Sequence, residues 1–111
     1  TFIPYDVAPE LQNPEEVQRR LQEVYPTALR NAGIGGSVIL WMRVDERGRV
    51  RSSRVQESSG YRALDRAAKD VVEAMEFSPA LNRDQPTAVW VQQRIRFRTT
   101  SDADAEDAAT G

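Results

Sequence analysis

Between residues 37 and 98 the spacing of apolar residues changes period twice, and this dictates a sheet with a helix laid on it. Ser37 to Asp45 (SVILWMRVD) is rich in β-branched and large apolar residues, as a strand requires. After Ser58-Ser59-Gly60 the period becomes helical. Leu64, Ala67, Ala68, Val71, Val72 and Met75 make one stripe of a packing helix that closes near Glu76. From Ala88 to Arg98 (AVWVQQRIRFR) the period returns to two, with Val89, Val91, Ile95 and Phe97 on one side and Trp90, Gln92, Arg94, Arg96 and Arg98 on the other.

The remaining segments fit around this frame. Residues 1–12 (TFIPYDVAPELQ) hold two prolines and no sustained period, so they are expected as an extended lead-in whose apolar residues can pack on the domain. Asn13-Pro14-Glu15-Glu16 is a helix start: Asn can cap, Pro suits the first helical position, and acids suit the positive dipole end. Val17, Leu21 and Val24 form the apolar stripe of the helix that follows, from 14 to about 24. Pro26 ends it or opens a second short helix through Ala28, Leu29 and Ala32. Asp45-Glu46-Arg47-Gly48 joins the first strand to an Arg-rich edge strand over 48–58, with Gly48 as the positive-φ residue of the hairpin. Phe77 to Ala80 leaves the packing helix, and Leu81 to Thr87 is expected as a polar loop. Thr99 to Gly111 has nothing large to bury and is expected as a disordered acidic tail.

The chain therefore divides into a lead-in (1–12), one small α+β domain (13–98) and a tail (99–111). The order helix, hairpin, helix, strand makes a three-stranded sheet. Its last strand lies parallel to the second through a right-handed crossover. With the most apolar strand central, the strand order is 2-1-3, the helices cover one face, and the final strand is a free edge.

Composition removes most chemistry. The 111 residues include no Cys and no His, which excludes disulfides, thiolate nucleophiles, Cys/His zinc sites and Ser-His-Asp triads. No cofactor, no metal site and no catalytic residue is expected, and the chain is read as a non-enzyme. The longest unbroken apolar run, Val38 to Met42, is far short of the ~20 residues that span a bilayer. The chain opens on Thr1 without a signal peptide, which is read as a part excised from a longer protein. All 15 basic residues lie at or before Arg98, whereas Asp102, Asp104, Glu106 and Asp107 follow it; the net charge of −2 thus hides a mildly positive domain. That balance, without a basic cluster, argues against nucleic acid as a partner.

Local motifs have local explanations. Gly33-Ile34-Gly35-Gly36 follows a helix and opens a strand, the reverse of a phosphate loop. Glu15/Glu16 and Asp45/Glu46 sit at a helix start and in a hairpin. Lys69 lies on the polar helix face, where Asp65/Lys69, Arg66/Asp70 and Lys69/Glu73 are spaced as ion pairs. The solvent side of the sheet is harder to dismiss, because Trp41 and Trp90 share it with Arg43, Arg94, Arg96 and Arg98. Two readings stay open: arginines guarding an edge while the tryptophans pack on the lead-in or first helix, or an edge and face that accept an extended peptide by strand addition.

A series of residues carries a resemblance: Tyr25-Pro26, Ala32-Gly33-Ile34 with Gly36, Val38 to Asp45, Gly48 with Val50, Val55, Ser58-Ser59-Gly60, Leu64-Asp65 with Ala67-Ala68, Phe77-Ser78-Pro79-Ala80 and Ile95-Arg96-Phe97. In this order and spacing it resembles the TonB C-terminal domain family over about residues 24 to 98. One departure is Val24, where family members place Gln before the Tyr-Pro pair. The resemblance implies a periplasmic domain, tethered to the inner membrane through a segment outside this chain and driven by a motor complex there. It implies an outer-membrane transporter peptide, the Ton box, as the partner added to the last strand. On that footing the partner-binding residues are Tyr25, Pro26, Trp90, Val91, Gln92, Gln93, Arg94, Ile95, Arg96 and Phe97. A homodimer through the edge strand, and a static docking or structural subunit of another envelope complex, are the alternatives.

Overall fold

The computed structural model describes residues 5–99. The elements run α1 (Pro14–Val24), α2 (Thr27–Asn31), β1 (Gly36–Val44), β2 (Val50–Glu57), α3 (Arg62–Glu73), β3 (Ala80–Asn82), β4 (Gln85–Thr87) and β5 (Val89–Phe97). The main sheet has the order β2-β1-β5, and β1 is antiparallel to both neighbours. β2 and β5 are therefore parallel to each other, joined through α3 as expected.

One face of the sheet makes the core. Val38, Leu40, Met42 and Val44 of β1 are fully buried, alternating with half-buried residues. Val38, Leu40 and Met42 meet Leu64, Ala67, Ala68, Val71 and Val72 of α3, and Val17 and Tyr25 join from the α1 side, whereas Val44 packs with Ala80 and Val89 in a second cluster. Ile95 and Phe97 complete the first cluster from β5.

Two glycines permit close approaches. Gly48 takes φ 83° in the β1–β2 turn, and any Cβ there would run into the backbone of Phe77. A Cβ on Gly35 would run into the carbonyl oxygen of Phe97 across the sheet. The turn is pinned by Asp45, buried at 7% exposure, whose Oδ1 accepts the N–H groups of Arg47 and Arg49 (2.9 Å each) and whose Oδ2 accepts Arg51 Nε (2.9 Å). The Arg49 N–H bond leads in holding this carboxyl below its ordinary value, against burial.

Three expectations change. Residues 81–87 form a second hairpin, β3–β4, turned by Arg83 (φ 51°) and Asp84 (φ 68°). Two consecutive left-handed residues make the primed turn that hairpins favour, here without the Asn-Gly or Asp-Gly signal that would reveal it. Asn13 does not cap α1 with its side chain. Its amide instead clips the end of α3, donating to the Ala74 carbonyl and accepting the Glu76 N–H at 2.9 Å each. Asp65 turns not to Lys69 but back to the loop before α3, accepting the Ser58 hydroxyl and, at 2.9 and 2.8 Å, the N–H and hydroxyl of Ser59. Burial disfavours its charge, yet these bonds hold its carboxyl below the ordinary value.

Both carboxyls are depressed in the folded state, so the stability they confer is complete above about pH 4 and is lost as pH falls through their folded values. With no His in the chain, the melting temperature is expected to be nearly flat from pH 5 to 8 and to fall below pH 4. Asp45→Asn is expected to cost about 1–3 kcal/mol at neutral pH and to flatten the acid limb; thermal melts from pH 2 to 8 check both.

The lead-in docks on the second hairpin. Asp6 and Val7 donate to the Leu81 carbonyl (2.8 and 3.1 Å), and Leu81 N–H returns a bond to Val7 (3.0 Å). Ser78 N–H donates to Glu10 and Gln12 N–H to Glu76. The tail expected to be disordered lies outside the described residues, apart from Thr99.

Candidate functional site

Register decides which backbone groups of β5 face outward. Asp45 donates its N–H to the Arg49 carbonyl and accepts the Gly48 N–H, so at residue 45 the chain addresses β2. In-plane groups alternate along a strand, so Val44, Met42, Leu40, Val38 and Gly36 address β5. Their partners are Val89, Val91, Gln93, Ile95 and Phe97. Trp90, Gln92, Arg94 and Arg96 therefore turn N–H and C=O to the outer edge. Two contacts agree: the Phe97 carbonyl is aimed at Gly35, and the Gln93 side-chain amide reaches the Arg94 carbonyl at 3.0 Å.

No other strand among the described residues pairs with that edge. It is also free of bulges, since β1 and β5 pair without interruption from Gly36↔Phe97 to Val44↔Val89. The opposite edge, β2, skips a residue at Gln56 and at Arg51, and such bulges twist an edge away from further pairing.

Beside the outer edge of β5 runs a groove of about 510 Å³. It exists because α1 packs on α3 and stands off from β5. Pro14, Val17, Leu21 and Tyr25 line the α1 side, Val71 and Met75 the α3 side, and Gln93 to Arg96 the strand side. The apolar stripe of α1 is visible in the sequence, but nothing local says that it faces a gap beside an edge.

The ten residues expected to contact a partner divide by accessibility. Trp90 (39% exposed), Gln92, Arg94 and Arg96 stand exposed on the face away from the helices. There the Gln92 amide bonds to Gln56 across β1, and Trp41 and Arg43 of β1, registered with Gln92 and Trp90, are half-buried. Those tryptophans do not pack on α1, which lies on the other face. Val91 and Gln93 are half-buried on the helix side, whereas Ile95 (4%) and Phe97 (1%) are core.

Tyr25 is a buried pillar. Its hydroxyl donates to the Ile34 carbonyl at 2.6 Å, its ring meets Phe97 edge-on with centroids 5.2 Å apart, and the Arg30 guanidinium lies 4.8 Å from its ring centroid. It thereby joins the start of β1 to the end of β5 and floors the groove. Pro26, half-buried, sets the entry to α2 with φ −60° and ψ 124°. Val24 packs against the core cluster. Among the described residues no group of three or more acidic side chains is placed to hold a metal ion. No helix there is long and apolar enough to cross a membrane.

A strand edge with a flanking groove is a binding geometry, and comparison with known proteins gives it a context. Residues 22–99 match the family model of the Gram-negative bacterial TonB protein C-terminal region. The chain is 31% identical over 88 residues to Protein TonB of Vibrio cholerae, covering 79% of this chain and 36% of that protein. It is 38% identical over 73 residues to Protein TonB of Xanthomonas campestris pv. campestris, covering 66% and 33%. The chain thus spans about a third of the length of these curated relatives. The solution NMR structure of the Pseudomonas aeruginosa TonB CTD superposes with a TM-score of 0.60 at 21% identity, covering 90% of this chain and 86% of that one. The matched span holds every element from α2 to β5, and the shared fold includes the sheet whose edge is left open: the chain belongs to the TonB C-terminal domain family.

Proposed function

We propose that this domain grips an extended, Ton box-like peptide of an outer-membrane transporter by adding it as a strand to the outer edge of β5. The observation that carries this reading is the outward backbone of Trp90, Gln92 and Arg94 beside the α1 groove. Main-chain bonds supply affinity, and alternate peptide side chains fall either into the groove or over the Trp/Arg face. The domain works in the periplasm, tethered to the inner membrane by a segment outside this chain, and passes force from a motor complex there to the transporter. It transduces energy and catalyses nothing.

Titrating isotope-labelled protein with a synthetic extended transporter peptide tests the reading. The amides of Trp90, Gln92 and Arg94 should shift together with groove residues such as Leu21. Shifts confined to β2, or none at millimolar peptide, would defeat it.

A further inference from the structure

We propose that the open face of the three-stranded sheet, opposite α3, is a docking surface for an anionic phospholipid bilayer. The register defines its layout. Trp41 of β1 lies between Arg54 of β2 and Gln92 of β5, Arg43 lies between Ser52 and Trp90, and Ile39 lies between Glu57 and Arg94. Directly opposed residues share a face of the sheet, and this one is turned away from buried Val38, Leu40 and Met42. Ser52, Arg54, Trp90, Gln92 and Arg94 are exposed there, and Ile39, Trp41 and Arg43 are half-buried. Both tryptophans of the chain are therefore on this face, while α3 packs on the other.

Charge shows what the face is complementary to. Arg43, Arg54 and Arg94 have no carboxylate within ion-pair distance among the described residues. Glu57, at one corner, is the one acid in the three strands. The helix side differs, for there Arg19 and Arg20 stand among Glu16, Glu23, Asp70 and Glu73. One sign thus faces outward from the sheet, and both signs, interleaved, from the helices. The three guanidinium groups sit one to a strand, across roughly 10 Å of sheet, rather than gathered about a point. That spread fits a plane of phosphates better than one discrete anion. Indole rings beside the arginines complete the match, because tryptophan settles at the headgroup level of a bilayer and arginine is drawn to an anionic leaflet. The contact is peripheral and reversible, and salt screens it. A strand added at the outer edge of β5 extends the sheet sideways and leaves Trp41, Arg43 and Arg54 uncovered, so face and edge can be used together. The inference does not depend on the peptide reading.

With both tryptophans on the face, tryptophan emission reports on it directly. At low salt the full chain should sediment with vesicles of phosphatidylcholine containing about a third phosphatidylglycerol, its emission moving to shorter wavelength. It should be released at about 0.5 M NaCl and should not bind vesicles of phosphatidylcholine alone. Arg54→Gln with Arg94→Gln should weaken partitioning by about tenfold or more, at roughly fivefold for each arginine removed. Arg19→Gln with Arg20→Gln removes the same charge from the helix side and should change it by less than about twofold; circular dichroism verifies that both variants are folded. Absence of binding to the anionic vesicles at low salt would overturn the proposal, as would equal losses in the two double variants or binding without a change in emission. A shift in emission with polyglutamate but not with vesicles would overturn it in favour of an acidic protein partner. Titration with an extended peptide in the absence of vesicles probes the β5 edge by itself, so the two readings fail separately.

Discussion

Gln93→Pro is expected to unfold the domain, whereas Gln92→Pro should leave it folded but unable to hold an extended peptide. The two positions are adjacent and both are glutamine, so composition and local propensity are nearly constant between them. What differs is where each N–H points. Gln93 is registered with Leu40 and addresses β1, in the middle of an unbroken ladder. Proline there removes a ladder donor and forces its ring against the central strand, at about 3 kcal/mol or more, a large share of the ~5–15 kcal/mol that hold a small domain together. Gln92 addresses the outer edge, where proline is tolerated because no strand donor is lost. Its side-chain bond to Gln56 is exposed, so losing it costs little. The peptide, by contrast, loses one main-chain donor to its carbonyl and meets the ring. Denaturant melts and peptide titrations of both variants decide the matter. If both unfold, β5 is not an edge; if Gln92→Pro still binds with parent affinity, the peptide docks elsewhere.

Leu64→Ala should destabilise the domain by about 2–5 kcal/mol, against less than about 0.5 for Arg66→Ala two positions along α3. Leu64 is completely buried, and its side chain lies beneath Gly36 at the start of β1, so truncation leaves a cavity where the helix, the central strand and the Ser58–Ser59 loop converge. Arg66 is exposed on the opposite face. The Leu64 variant should also weaken peptide binding, because β1 is the strand against which β5 is aligned. Equal effects of the two substitutions in urea melts would mean that α3 presents a different face to the sheet.

Much of this architecture is written in hydrophobic period. Alternation along 88–98 and the helical stripe over 64–75 specify which residues face the core, and Val38, Leu40, Met42, Leu64, Val71, Ile95 and Phe97 are indeed buried there. The hairpin glycine, Gly48, is equally legible, because its positive φ is a requirement of the turn itself. With these, the element order and the series of family residues, the fold and the central place of the apolar strand follow from the chain alone.

What tertiary structure decides is everything that depends on a neighbour far away in sequence. Side-chain period says which face a residue takes, but N–H groups alternate within the plane of the sheet, and their direction is set only when β1 has chosen its register with both partners. So Gln92 and Gln93 are indistinguishable until Asp45 is seen bonded to Arg49. The same holds for Asn13, a plausible helix cap whose amide is drawn instead to the end of α3, and for Tyr25, a candidate contact residue that is buried between Ile34 and Phe97. The β3–β4 hairpin escapes because Arg83 and Asp84 adopt left-handed backbone that their side chains do not advertise, held where the lead-in bonds to Leu81 and Arg83. The groove beside β5 exists because α1 rests on α3 rather than on the sheet, a packing choice made between surfaces that no local window of sequence contains.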